Sequence, residues 1–411
     1  MIRDLLAALG QMNKTDEKNL EGNIKKTCLI SLVDGMWFPF PIFIIFFLQS
    51  GMSMTQVGLI LGASYIMSLL LDIPSSIWAD KYSRKSLLIM GNVAFMLLNV
   101  IIFLSNSFEM FFLAFCFNGI GTACWTGILS AFVYDTLLSL GREKQYEQTQ
   151  AKLLKYFFLG RIIAAIVGVY IYSINPKMPF LLSALANFAC VIWAFSFKEP
   201  TREKSISRSF DQVKEGLFYL LKHKTIWNTV IVFSVVGAIW DVLFNYYQPF
   251  MQASGIPLSY FSVVYIFVSI FGLLGASLYQ KMKSKIDWKG IMLVYLFIDL
   301  VSSLFFGTQI AVLVILSIAL LTFASGSFDI YIGGIVHKIV PSSHRATTLS
   351  IRSQMYMLFS LILINIVNFS ADHSSISVGM LISASVVLIA LLVFVRGNYK
   401  KVAAIDSLLQ E

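Results

Sequence analysis

The sequence predicts an all-α membrane protein: twelve transmembrane helices in two six-helix, pseudo-symmetric bundles, with both termini cytoplasmic. Three observations carry that expectation. Hydrophobic residues make up 57% of the chain and charged ones 13%, with a mean hydropathy of +0.77. A soluble core of 411 residues needs far less apolar surface. The apolar residues form continuous runs of spanning length, unlike the alternating pattern of an outer-membrane barrel. The basic residues collect in alternate short loops, which is the positive-inside pattern.

Taken in order, segments able to cross a hydrocarbon core of about 30 Å lie near 28–48, 55–79, 86–105, 109–138, 150–173 and 179–197. A second set lies near 225–250, 258–280, 289–307, 309–335, 346–369 and 375–395. The expected organisation is therefore a polar segment 1–26, a first bundle 27–197, a linker 198–224, a second bundle 225–396 and a tail 397–411. Residues 1–26 carry a short amphipathic start at Ile2–Leu9 but no cleavable signal, so the first apolar run serves as its own uncleaved signal.

The charges set the orientation. With the N-terminus inside, the cytoplasmic segments hold Lys25–Lys26, Lys81–Arg84–Lys85, Arg142–Lys144, the linker, Lys281–Lys289, Lys338–Arg345 and Lys400–Lys401. Of the 31 Lys and Arg, only Lys177 falls in an outside loop and only Arg161 deep inside a span. The net charge of +9 is thus a matter of topology, and nucleic acid is not an expected partner.

In the linker, Phe210, Val213, Leu217, Leu220 and Leu221 recur at helical spacing among Lys214, Lys222 and Lys224. This reads as a surface-lying amphipathic helix between the halves. A faint repeat relates the halves: Ser50-Gly51 and Ser254-Gly255 are offset by 204 residues, and Arg142 and Arg345 by 203.

Enzyme, cofactor and metal chemistry find no support. His223, His337, His344 and His373 have no ligand spacing, and no phosphate-binding Gly-Lys-Ser/Thr loop is present. Cys28, Cys116, Cys124 and Cys190 lie in apolar runs with no paired spacing and read as small core residues.

Charged residues inside the spans carry the functional signal. A charge at mid-bilayer costs about 2.5–3.5 kcal/mol on insertion scales, so each is expected to face a cavity or a partner. The charged residues so placed are Asp34, Asp72, Arg161, Asp241, Asp299 and Asp329, and the candidates for binding substrate or coupling protons are Asp34, Trp37, Asn118, Arg161, Asp241, Asn245, Gln248, Asp299 and Asp329. Asp34, Trp37 and Pro41 share one face of a helical span one, and Asp241, Asn245 and Gln248 one face of span seven. The bland alternative for each is a buried, hydrogen-bonded group that fixes helix packing.

The elbow between spans two and three reads Ser76-Ile-Trp-Ala-Asp80-Lys81-Tyr-Ser83-Arg84-Lys85. It resembles the loop signature of the major facilitator superfamily, G-x-x-x-D-(R/K)-x-G-(R/K)-(R/K). Asp80, Lys81, Arg84 and Lys85 stand at its charged positions, and Ser76 and Ser83 replace its glycines. The lead-in Asp72-Ile-Pro74-Ser-Ser76 is also similar to the family's. The resemblance implies a gate in which Asp80 caps a helix of the opposite half while Arg84 bridges Asp80 and Asp135. Lys85, Arg142 and Arg345 are grouped with it. Asn118-Gly-Ile-Gly121-Thr-Ala123 looks like the family's span-four motif with Phe115 where an arginine is expected, which leaves Arg161 to substitute. Gly160-x-x-x-Ala164-Ala165-x-x-Gly168-Val169 resembles the antiporter signature G-x-x-x-G-P-x-x-G-G, with its small-residue face kept.

The expected function is secondary active transport by alternating access in the cell membrane, by a monomer, with protons coupled to a small-molecule substrate. Export of an amphipathic or drug-like compound leads. A proton- or sodium-coupled importer of a small polar solute and a non-transporting sensor or immunity protein of the same fold are the alternatives.

Overall fold

The computed structural model describes residues 14–81, 83–125, 127–200, 210–283 and 285–399. Within them the chain forms α1 (Lys14–Gly35), α2 (Phe43–Gln49), α3 (Met54–Lys81), α4 (Arg84–Leu104), α5 (Phe108–Trp125), α6 (Ile128–Ser139), α7 (Tyr146–Ile174) and α8 (Met178–Phe195). There follow α9 (Phe210–Lys222), α10 (Lys224–Ala253), α11 (Phe261–Lys283), α12 (Trp288–Gly307), α13 (Ala311–Ile339), α14 (Ser342–His373) and α15 (Ile376–Tyr399). The expected tail charges Lys400–Lys401 and the start at Ile2–Leu9 lie outside the described residues.

Ten stretches among the described residues are long and apolar enough to cross a membrane, and they coincide with ten of the twelve expected spans. The other two differ. The segment 28–48 is not one helix: α1 ends at Gly35 and α2 begins at Phe43. Pro39 and Pro41 explain the break, since each lacks an N–H and each disfavours helical backbone in the residue before it. Two turns hold the gap, from Met36 N to the Val33 carbonyl at 2.8 Å and from Phe40 N to the Trp37 carbonyl at 3.0 Å. A shared helical face for Asp34, Trp37 and Pro41 is therefore incorrect. In the segment 258–280 α11 is one helix of 23 residues, Phe261–Lys283, and its described apolar stretch is Leu258–Gly272. The segment 109–138 is also interrupted, by Gly127 with φ at 75° between α5 and α6.

Contacts divide the chain into two units. The first comprises Met1–Pro41 and Ile66–Arg208, the second Ile42–Tyr65 and Ser209–Glu411. Residues 42–65, which the sequence places in the first half, thus group with the second unit, and the boundary runs through α3.

In the first unit α4 packs on α5 and α8, and α1 on α7. The α1–α7 contact is backbone against backbone. A Cβ at Gly160 would stand 1.9 Å from the Leu32 carbonyl oxygen, and one at Gly168 2.1 Å from that of Phe38. The small-residue face read from the sequence is what lets the two backbone segments touch, and it brings Arg161 beside the end of α1. In the second unit α12 packs on α13 and α15, and α10 on α14. The amphipathic α9 lies on α14 with Leu220 buried and Leu217, Phe218 and Leu221 exposed. The Tyr219 ring lies 4.2 Å from His223 and 4.3 Å from His344, centre to centre.

Candidate functional site

The break after Gly35 opens a cavity of about 240 Å³ within the first unit. Its polar lining is Asp34, Trp37, Asn99, Asn118, Arg161 and Asn187, backed by Met36, Phe95 and Phe157. Asp34 arrives on the last turn of α1. Trp37 reaches the cavity through the turn that follows, not by helical spacing. Its indole N–H donates to Asn99 Oδ1 at 3.3 Å, while the Asn99 amide donates to the Phe95 carbonyl at 2.8 Å. The Asn187 amide donates to the Ser183 carbonyl at 2.9 Å. The Arg161 guanidinium sits 4.3 Å from the centre of the Phe40 ring and 4.8 Å from that of Phe157, two cation–π contacts that steady it without neutralising it.

The structure therefore gathers Asp34, Trp37, Asn118 and Arg161, read one by one from the sequence, around one space. Asn99 and Asn187 were missed. Their signal was available, because an amide inside an apolar span carries the same expectation of a partner or cavity as a charge.

In the second unit Asp241, Asn245 and Gln248 do lie along one side of α10, but their partners make them structural as much as functional. The Asp241 carboxylate accepts from the Tyr65 hydroxyl. Asn245 Nδ2 donates to the Asp241 carbonyl at 2.7 Å and lies 3.4 Å from its Oδ1. Gln248 Oε1 accepts from Ile44 N at 2.9 Å, serving an N–H in the first turn of α2 that has no intrahelical partner. Asp299, in the middle of α12, is fully buried and accepts from the Trp240 indole. Asp329 lies on α13, but its side chain is outside the described set. Arg161 is not the only cation within a span, as the sequence reading had it: Arg352 lies inside Thr347–His373, 5.9 Å from the centre of Phe328.

At the elbow Arg84 Nη1 pairs with Asp135 and donates to the Ala131 carbonyl at 2.7 Å. The Asp80 side chain lies outside the described set, and of the three residues expected to meet at the elbow the pair Arg84–Asp135 is formed. Glu199, which the sequence reading passed over, caps α4. Its carboxylate accepts from Ser83 Oγ at 2.8 Å, Arg84 N at 2.9 Å and Lys85 N at 3.1 Å. A carboxylate at a helix start satisfies orphan donors and meets the positive end of the dipole. Lys85 Nζ binds the Phe197 carbonyl at 2.8 Å. Arg142 reaches Gln145 at 2.7 Å and Glu21 at 3.5 Å in an exposed cluster, and Arg345 Nε binds the Val340 carbonyl at 2.8 Å. In this structure Lys85, Arg142 and Arg345 hold local chain ends.

Comparison with known proteins follows the same lines. The sequence profile of the Major Facilitator Superfamily matches residues 27–302. The chain is 24% identical over 234 residues to the uncharacterized MFS-type transporter YxaM of Bacillus subtilis (strain 168), a match that covers 52% of this chain and 55% of that one. It is 23% identical over 188 residues to Multidrug resistance protein 1 of the same organism, covering 46% and 47%. The chain thus spans about half the length of these curated relatives. Among solved structures, the nucleoside transporter NupG superposes with a TM-score of 0.78 at 16% identity, over 92% of this chain and 99% of that one.

Proposed function

Since the chain belongs to the Major Facilitator Superfamily, we propose that it is a secondary active transporter whose first-unit cavity takes a small polar solute. The observation that carries this is the cavity itself. It offers one carboxylate, one guanidinium, three amides and one indole in about 240 Å³. Pockets for drug-sized ligands run to about 300–1,000 Å³ and are mostly apolar. A compact solute with hydrogen-bonding groups, one of them cationic or donating toward Asp34 and one anionic or accepting toward Arg161, matches both the size and the lining. The transport is proton-coupled and works by alternating access, in a monomer in the cytoplasmic membrane with both termini inside.

A second reading, export of an amphipathic or drug-like compound, is favoured by the remnant antiporter face on α7 and by the relative named Multidrug resistance protein 1.

The deciding experiment is a thermal-shift panel on the purified protein, setting amino acids, nucleosides and sugars against lipophilic cationic dyes. The expected outcome is stabilisation by one class of polar solute, abolished in both Asp34→Asn and Arg161→Ala. Stabilisation by dyes alone, unaltered by those changes, would sink the polar-solute reading and promote the second. For topology, a cysteine at Lys177 labels from outside in intact cells and one at Lys144 does not; the reverse pattern overturns the orientation.

A further inference from the structure

We propose that Asp299 is a proton-binding site of the second unit, separate from the solute cavity and built from α12 and Trp240. Asp299 has no exposed surface, and its Oδ1 accepts from the Trp240 indole N–H. Its Oδ2 has no hydrogen-bond partner among the described residues, and neither do the hydroxyls of Ser302 and Ser303, which are 0% and 1% exposed. The three residues stand at i, i+3 and i+4 on α12, so they share one face of the helix. Native interiors rarely leave buried polar atoms unmatched, so three on one helical face call for a partner.

The surroundings narrow what that is. No Lys, Arg or His among the described residues pairs with Asp299. The titratable neighbours are phenols: Tyr295 on α12, whose hydroxyl shares a 2.8 Å hydrogen bond with Ser327, and Tyr331 on α13, whose ring lies 5.3 Å from that of Tyr295. On α10, Asp241 is engaged by Tyr65. On α11, Tyr265 rests against Tyr247 of α10. Helix α15 carries no Asp, Glu, Lys, Arg, His, Cys or Tyr between Ile376 and Val395. The ring of Phe328 closes over Trp240 at 4.3 Å. A bare carboxylate here is buried with one donor and no counter-charge, the situation that interiors relieve by protonation or by metal. Hard divalent cations take about six or more oxygens, and one carboxylate oxygen with two hydroxyls falls short of that shell. One proton suffices. Bound at Oδ2 it cancels the charge; on release it returns to water as H⁺ and leaves the carboxylate.

The site has a path to the rest of the unit. Ionised Asp299 makes the Trp240 hydrogen bond charge-assisted and stronger. Trp240 adjoins Asp241 on α10, and α10 also holds Tyr65 and, through Gln248, the start of α2. Coupling to solute movement rests on the transporter reading above, whereas the proton site does not.

The test is therefore made without solute: infrared difference spectra of the full-length protein in nanodiscs, stepped through pH in sodium-free buffer. The expected result is a protonated-carboxyl C=O band in the wild type that is missing from Asp299→Asn and retained in Asp34→Asn, Asp241→Asn and Asp329→Asn. In Trp240→Phe, which removes the indole donor that favours the ionised form, the band persists to higher pH. An equal band in wild type and in folded Asp299→Asn overturns the proposal, as does loss of the band on adding sodium at constant pH, which would make this a sodium site. If Asp299→Asn fails to fold, the Trp240→Phe shift decides, and its absence overturns the proposal. Solute-induced stabilisation in Asp299→Asn at neutral pH reports on the first-unit cavity alone and separates failure of one idea from failure of the other.

Discussion

Asp34 and Asp299 are both aspartates inside apolar helices, and the two units treat them differently. Asp34 sits at a broken helix end, with Arg161 and three amides around about 240 Å³ of space. Asp299 sits in an unbroken helix, packed among Trp240, Tyr295 and Phe328, with no cation paired to it among the described residues. An intramembrane carboxylate with a cation and room can hold a solute; one with neither can hold little more than a proton. The difference comes from the backbone. Two prolines open the chain beside Asp34, while α12 runs continuously past Asp299.

The comparison can be broken or sharpened in four ways. The largest effect is expected from Gly160→Leu, because its Cβ would meet a backbone oxygen at 1.9 Å that no rotamer change can relieve. Folded yield by fluorescence-detected size exclusion should fall more than about tenfold, as for a severe core clash. Gly307→Leu, at a position with no atoms within 4 Å of the added Cβ, should not lower it. Next, Arg161→Ala should weaken solute binding about 10–100-fold, the worth of charge-assisted hydrogen bonds at about 1.5–3 kcal/mol. Asp299→Asn should leave solute binding within about twofold at neutral pH; equal losses in both would erase the distinction between the units. A smaller change is expected from Asn99→Ala, which removes the acceptor for Trp37: about 1 kcal/mol, or about fivefold in affinity by titration calorimetry. Smallest is Glu199→Gln, which keeps the shape of the α4 cap and loses its charge. About 0.3–1 kcal/mol should lower the thermal midpoint by about one to three degrees and leave solute affinity unchanged.

Much of the site was legible residue by residue, because a charge in an apolar run announces itself whatever the fold. Asp34, Arg161, Asp241 and Asp299 were all found that way. Asn99 and Asn187 carried a weaker form of the same signal. Glu199 carried none, since a glutamate just after a span looks like any solvated loop residue until the α4 N-terminus is placed beside it. Gln248 looked like cavity lining for the opposite reason: its position on a polar face was visible, but the N–H of Ile44 that it serves lies 204 residues away in the chain.

The sequence alone determined the class, ten of the spans and the small-residue face of α7, because lipid imposes length, apolarity and close packing as local rules that each segment must meet by itself. Only the tertiary structure decided that two prolines break α1 from α2, that residues 42–65 group with the second unit, and that one aspartate receives a cavity while another receives an indole. Those outcomes depend on which helices meet, and the partners of a buried polar group are chosen across hundreds of residues of chain, where no local pattern reaches.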